Sequence, residues 1–165
     1  MKKLAIVQRP PAFLDKEKTI VLAVGAVKEA AAQKADLVVF TEAFIPGYPT
    51  WVWRLKPGGD WNLSEELYKR LFDNAVNLDS DDLKPLSDAA REHAVTIVCG
   101  LEERDNQLSR STLYNTVIVI GPDGRLLNRH RKLMPTNPER MVWGFGEASG
   151  LKAIDTPTGR IGTLI

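Results

Sequence analysis

Three residues carry the chemistry this sequence could perform: Glu42, Lys132 and Glu139. Glu42 lies just past the apolar run Leu37-Val38-Val39-Phe40. Its carboxylate is therefore expected near or inside the core, where a charge is costly unless it is paired or protonated. Lys132 is the cation expected to pair with it, and Glu139 is a second carboxylate for the same site. Two carboxylates around one lysine hold the amine charged and tune the acid that must take a proton; such a cluster titrates as a unit. The competing reading is a surface glutamate at a strand end and two unconnected residues of a solvated basic loop.

These side chains need elements to hold them. Pro135 and Pro138 forbid a regular helix or central strand after Lys132, so a strand ending near it delivers the lysine into a rigid loop. Residues 4–7 and 37–40 read as short strands buried on both faces. Between them a helix, capped by Asp15 and running to about residue 35, places Ile20, Val24, Val27 and Ala31 at helical spacing. This strand–helix–strand opening predicts a sheet packed on helices, with Glu42 at the carboxyl edge where ligand groups gather.

The aromatic stretch 43–53 follows, with Tyr48, Trp51 and Trp53. It reads either as a hydrophobic plug over the core or as a pocket wall. Ser64 and Ser80 are expected to cap two covering helices, with Leu67, Leu71 and Phe72 facing inward on the first and Leu83, Leu86 and Ala90 on the second. Residues 95–101 and 113–120 read as strands. Gly121-Pro122-Asp123-Gly124 turns the chain back into an antiparallel strand over 125–130. Residues 151–156 and 160–165 form a last pair around Pro157-Thr158-Gly159. Residues 161–165 read as a buried strand in which the sequence stops, so a fragment is expected.

Composition excludes several classes. A net charge of +1 argues against nucleic acid or an anionic membrane as the main partner. No apolar run approaches the roughly 20 residues of a membrane span, and residues 4–7 are too short for a signal-peptide core. One cysteine excludes a disulfide framework and fits a reducing, cytoplasmic setting. Cys99, mid-strand among Ile97, Val98 and Gly100, reads as an inert buried thiol. His93 and His130 are too few for a zinc site. Residues 144–150 resemble a dinucleotide fingerprint, but the last glycine falls one position late and no strand-to-helix junction holds them. Residues 129–132 could bind phosphate, a weak signal on its own.

Taken together, the chain resembles the nitrilase superfamily of carbon–nitrogen hydrolases. Phe40-Thr41-Glu42-Ala43-Phe44-Ile45-Pro46-Gly47-Tyr48-Pro49 is similar to its catalytic-glutamate motif. His130-Arg131-Lys132-Leu133-Met134-Pro135-Thr136 is similar to its lysine motif, and Glu139 falls where its second glutamate belongs. The tryptophans after Gly47-Tyr48-Pro49, with Met134-Pro135-Thr136 and Glu139-Arg140, resemble the nitrile-hydrolysing branch.

The resemblance implies an α/β fold, an α-β-β-α sandwich incomplete at its C-terminus, with residues 1–165 as the N-terminal portion of one domain. It implies hydrolysis of a nitrile to a carboxylic acid and ammonia, with Glu42, Lys132 and Glu139 catalytic and no metal or organic cofactor. Tyr48, Trp51, Trp53 and Trp143 are the implied substrate-binding candidates. The family's nucleophilic cysteine directly follows a strand like 159–165, so this sequence ends one residue short of it. The implied partners are a small nitrile or amide and further copies of the chain, as dimers or helical filaments, and neither nucleic acid nor membrane. An amidase or carbamoyl-amide hydrolase with the same residues, or a truncated non-catalytic homologue, are the alternatives.

Overall fold

The computed structural model describes residues 2–56, 58–107 and 109–165. The chain opens with β1 (Leu4–Ile6), α1 (Lys16–Ala32) and β2 (Leu37–Val39). The Asp15 carboxylate accepts the Lys18 N–H at 3.0 Å and so starts α1. Next come α2 (Trp61–Asp73), α3 (Lys84–His93), β3 (Thr96–Arg104), β4 (Leu113–Ile120) and β5 (Leu126–Arg131). The hairpin β6 (Ala153–Thr156) and β7 (Gly159–Gly162) closes the described chain. Strands β1 to β5 lie side by side in chain order in a five-stranded sheet. The first three are parallel, and β4 and β5 return antiparallel.

Strand periodicity assigns the faces. Val38, Ile97, Cys99, Leu101, Ile118 and Ile120 meet α1 and α3 through Ile20, Ala23, Val27, Leu86, Ala89 and Ala90. On the opposite face Val98, Val117 and Val119 pack against Leu37, Val39, Ile154 of β6 and Ile165. Helices thus cover one face and the hairpin part of the other. A further apolar cluster caps the carboxyl end of the sheet, where Trp51, Val52, Leu71, Leu113 and Trp143 pack together.

Three expectations are corrected. The first strand is not buried on both faces: Leu4 is 53% and Ile6 66% exposed, because β1 is the sheet edge. Residues 161–165 are not a buried strand. β7 pairs with β6 alone, and Leu164 is 82% exposed. Both covering helices begin away from their expected serine caps. The Asp60 carboxylate ahead of α2 accepts the Lys56 N–H at 2.7 Å. Asp82, ahead of α3, takes the Lys16 ammonium at 2.7 Å and the Asn77 N–H at 2.9 Å. Ser80 itself is used in the turn before α3, donating its hydroxyl to the Asn77 carbonyl at 2.7 Å and accepting the Asp82 N–H at 3.2 Å, so it is not free to cap the helix.

Candidate active site

Glu42 is held where β2 gives way to a path along β3. The Phe40 N–H donates to the Val98 carbonyl, the Ile45 N–H to the Gly100 carbonyl, and the Glu102 N–H returns to the Ile45 carbonyl. A Cβ on Gly100 would collide with the Thr41 carbonyl, the Glu42 Cα and the Ala43 nitrogen, so glycine is what lets this segment lie on the strand. Ala43 sits at φ 47°, a left-handed conformation that a non-glycine residue adopts at a cost.

Lys132 follows β5 directly. Its backbone N–H donates to the Asn115 carbonyl at 2.8 Å, and its carbonyl accepts the Gly146 N–H at 2.9 Å. Residues 144–150 therefore brace β5: a Cβ on Gly146 would strike the Arg131 and Lys132 carbonyls. Glu139 lies in the short 3-10 turn Asn137–Met141 and closes a capping box with Thr136. Its Oε2 accepts the Thr136 N–H at 2.6 Å.

The structure brings these three side chains together. Lys132 Nζ lies 3.0 Å from Glu42 Oε1 and 2.9 Å from Glu139 Oε2. Tyr48 donates its hydroxyl to Glu139 Oε1 at 2.6 Å, and Trp53 Nε1 donates to the Tyr48 oxygen at 2.9 Å. Trp143 presents its ring 5.6 Å from Lys132 Nζ and meets Tyr48 edge-on at 5.4 Å. Trp51 makes no hydrogen bond to Glu42, Lys132 or Glu139: it sits in the apolar cap, edge-on to Phe13 and in one cluster with Trp143 and Tyr48.

Burial is distributed differently from the sequence expectation. Glu42 is not inside the core; its side chain is 41% exposed, while that of Glu139 is 5% exposed. The reason is the loop after β2, which lies along β3 and leaves the Glu42 side chain at the cleft. Glu42 borders a cleft of about 440 Å³ together with Gly100, Val117, Lys132, Leu164 and Ile165. Among the described residues, no group of three or more His, Cys, Asp or Glu side chains is arranged to hold a metal ion. No helix there is long and apolar enough to cross a membrane.

Two further residues belong to the cluster and escaped the sequence reading. Asn115 Nδ2 donates to Glu42 Oε1 at 2.6 Å. Glu102, fully buried, accepts the Trp143 indole N–H. A single polar residue on an otherwise apolar strand face would have flagged Asn115, which shares its face with Val117 and Val119.

Burial pushes the Glu139 carboxyl up, but Tyr48, the Thr136 N–H and Lys132 more than offset it and hold it below the usual carboxylate range. Burial likewise works against the charged amine of Lys132, and Glu139 and Glu42 more than offset that, raising its pKa. The Tyr48 phenol is raised by burial and by Glu139. A depressed acid stabilises the fold above its unfolded pKa, and the contribution is lost as pH falls through the lower folded value. Glu139→Gln is therefore expected to lower unfolding stability by roughly 2 kcal/mol at neutral pH, the size of charge-assisted hydrogen bonds. The gap to wild type should narrow steadily on acidification below the ordinary carboxylate range. Urea unfolding over a pH series measures it, and a gap that does not depend on pH would count against the assignment.

Comparisons with known proteins place the chain in a family. The carbon-nitrogen hydrolase family profile matches residues 3–165. An aliphatic nitrilase from Rhodococcus rhodochrous is 40% identical over 162 residues, covering 98% of this chain and 42% of that protein. An arylacetonitrilase from Aspergillus niger is 34% identical over 165 residues, covering 98% of this chain and 45% of that protein. The chain thus spans about half the length of the relatives it matches, or somewhat less. Among solved structures, Saccharomyces cerevisiae Nit3, of the nitrilase superfamily, superposes with a TM-score of 0.73 at 24% identity, over 98% of this chain and 54% of that one. An amidase from Nesterenkonia sp. AN1 in complex with acrylamide gives 0.67 at 17% identity, over 99% and 55%. Both show the fold. With a profile matched nearly end to end and relatives aligned along its whole length, this chain belongs to the carbon-nitrogen hydrolase family.

Proposed function

We propose that the protein carrying this chain is a nitrilase: it converts a nitrile and two waters into a carboxylic acid and ammonia through a cysteine thioimidate. The observation that carries the reading is the Glu42–Lys132–Glu139 cluster, closed by contacts of 3.0 and 2.9 Å, whose Glu42 and Lys132 border one cleft with Ile165. The nitrilase relatives support the choice of substrate class. Residues 1–165 form the N-terminal portion of one hydrolase domain in this reading.

The nucleophile is a cysteine following Ile165 in the intact protein, as the family resemblance implies. Cys99 is unsuited: it is buried on the helix-covered face, away from Val98 and Gly100, and burial pushes its thiol well above the usual range. Glu42 takes the thiol proton, and its Oε2, which makes no hydrogen bond to the described residues, is the free acceptor. The thiolate attacks the nitrile carbon, and the nitrogen gains a proton to give the thioimidate. Water activated by Glu42 adds to that carbon, ammonia leaves, and a second water frees the acid. Lys132 stabilises the charge that builds in the tetrahedral states. Glu139 and Tyr48 orient Lys132, while Trp53 and Trp143 flank the site as substrate contacts.

Ammonia release from matched nitrile and amide pairs tests this. The intact protein is expected to consume the nitrile in preference to its amide. Turnover of the amide alone would make it an amidase, and turnover of neither would remove the catalytic reading. The low cysteine content of residues 1–165 supports a cytoplasmic setting, and the family resemblance supports homo-oligomers.

A further inference from the structure

Glu102 and Asn115 face each other across the antiparallel pair β3 and β4. Directly opposed residues on one face hold their Cβ atoms about 5 Å apart. Among the described residues, Glu102 Oε1 and Asn115 Oδ1 are both buried without a hydrogen-bond partner. Buried polar atoms are rarely left so, and two of them on directly opposed residues are the natural partners of one another.

The chemistry of the pair decides which can donate. The Asn115 amide offers its NH₂ to Glu42 Oε1 at 2.6 Å. Its Oδ1 is then an acceptor that needs a donor. Glu102 Oε2 already accepts from Trp143 Nε1. Oε1 is the remaining oxygen, and it can donate only if it carries a proton. An ionised Glu102 would set two acceptors against each other and would add a third negative charge near Glu42 and Glu139.

We propose that Glu102 is a neutral carboxylic acid that donates Oε1–H to Asn115 Oδ1, and is thereby the positioning residue that locks the Asn115 amide onto Glu42. Burial raises Glu102 well above the usual carboxylate range; the Trp143 N–H works against this, and Glu42 and Glu139 add to it. The groups facing the pair are Glu42, Lys132, Glu139 and Trp143, and Lys132 is occupied by Glu42 and Glu139. The chain Trp143–Glu102–Asn115–Glu42 then has one donor and one acceptor at every link. The consequence for turnover rests on Glu42 acting as the base; the protonation state does not.

Infrared spectroscopy of the intact protein at neutral pH tests the proposal. A protonated carboxyl band, well separated from ionised carboxylates, is expected in the wild type and absent in Glu102→Gln. Asn115→Leu removes the acceptor and should shift that band to higher frequency. The Asn115 side-chain amide protons should be slow to exchange in wild type and in Glu102→Gln, whose own NH₂ still donates, and fast in Glu102→Leu. A merely space-filling Glu102 would leave its band unshifted in Asn115→Leu and the Asn115 amide exchange unchanged in Glu102→Leu. Absence of the band in wild type, or a band that Asn115→Leu leaves in place, overturns the proposal even if Glu102→Leu fails to fold. If the band behaves as expected but no nitrile is hydrolysed, the function falls and this assignment stands.

Discussion

Replacing Lys132 with alanine in the intact protein is expected to lower kcat/KM for nitrile hydrolysis by about a thousandfold or more, the scale of losing one placed group that stabilises developing charge. Lys132 is the cation between Glu42 and Glu139, at 3.0 and 2.9 Å. Its loss removes the positive charge from the tetrahedral states and leaves two carboxylates with no cation between them. Lys132→Arg should rescue poorly. The backbone of Lys132 is pinned by Asn115 and Gly146, and a planar guanidinium cannot take the place of a compact ammonium there. Glu42→Gln, close in shape, should cost a similar factor by removing the proton acceptor. The double variant should be scarcely worse than either single one, because groups acting as a unit are strongly non-additive. Ammonia release, with circular dichroism to verify the fold, measures all of these. A Lys132→Ala rate within about tenfold of wild type would refute the assignment, since placed groups of this kind seldom contribute so little.

Much of this site was legible because it rests on local rules. Prolines after Lys132 required an irregular loop, and the structure has Pro138 opening a 3-10 turn there. Residues 113–120, apolar and bounded by a turn, appear as β4 with the expected limits. Glu102 and Glu103 were not legible, and the reason is tertiary. The strand expected to end at Leu101 runs on to Arg104, because the Val76 backbone pairs with it: the Val76 N–H donates to the Glu102 carbonyl at 2.7 Å, and the Arg104 N–H donates to Val76 at 2.8 Å. Adjacent strand residues point to opposite faces. So one buried glutamate underlies the site and the other belongs to the helix side. Nor could residue type sort the aromatics. Trp51 and Trp53 are two apart in one short turn, yet the first packs in the apolar cap and the second is half exposed beside Tyr48.

Glu103 and Arg131 yield the largest expected effect on stability. The Glu103 carboxylate, 3% exposed, accepts from Arg131 Nε at 3.1 Å and from Arg131 Nη2, and takes the Thr116 hydroxyl at 2.8 Å. The guanidinium also lies 3.8 Å from the Tyr114 ring centre. Arg131→Met removes the bidentate partner and leaves a buried carboxylate with the Thr116 hydroxyl and, among the described residues, one cation, Arg129, 3.4 Å away and more exposed. Breaking a buried pair from one side typically costs about 3–5 kcal/mol, whereas replacing both members with apolar groups costs far less. Arg131→Met should therefore lower the melting temperature by roughly 10 °C, and Arg131→Met with Glu103→Leu should regain most of it. Activity should fall along with stability in the single variant, because Arg131 is the last residue of β5 and Lys132 comes directly after it. A single variant that melts like wild type would mean that Arg129 alone suffices for Glu103, and that the end of β5 is held instead by the Lys132 backbone bonds to Asn115 and Gly146.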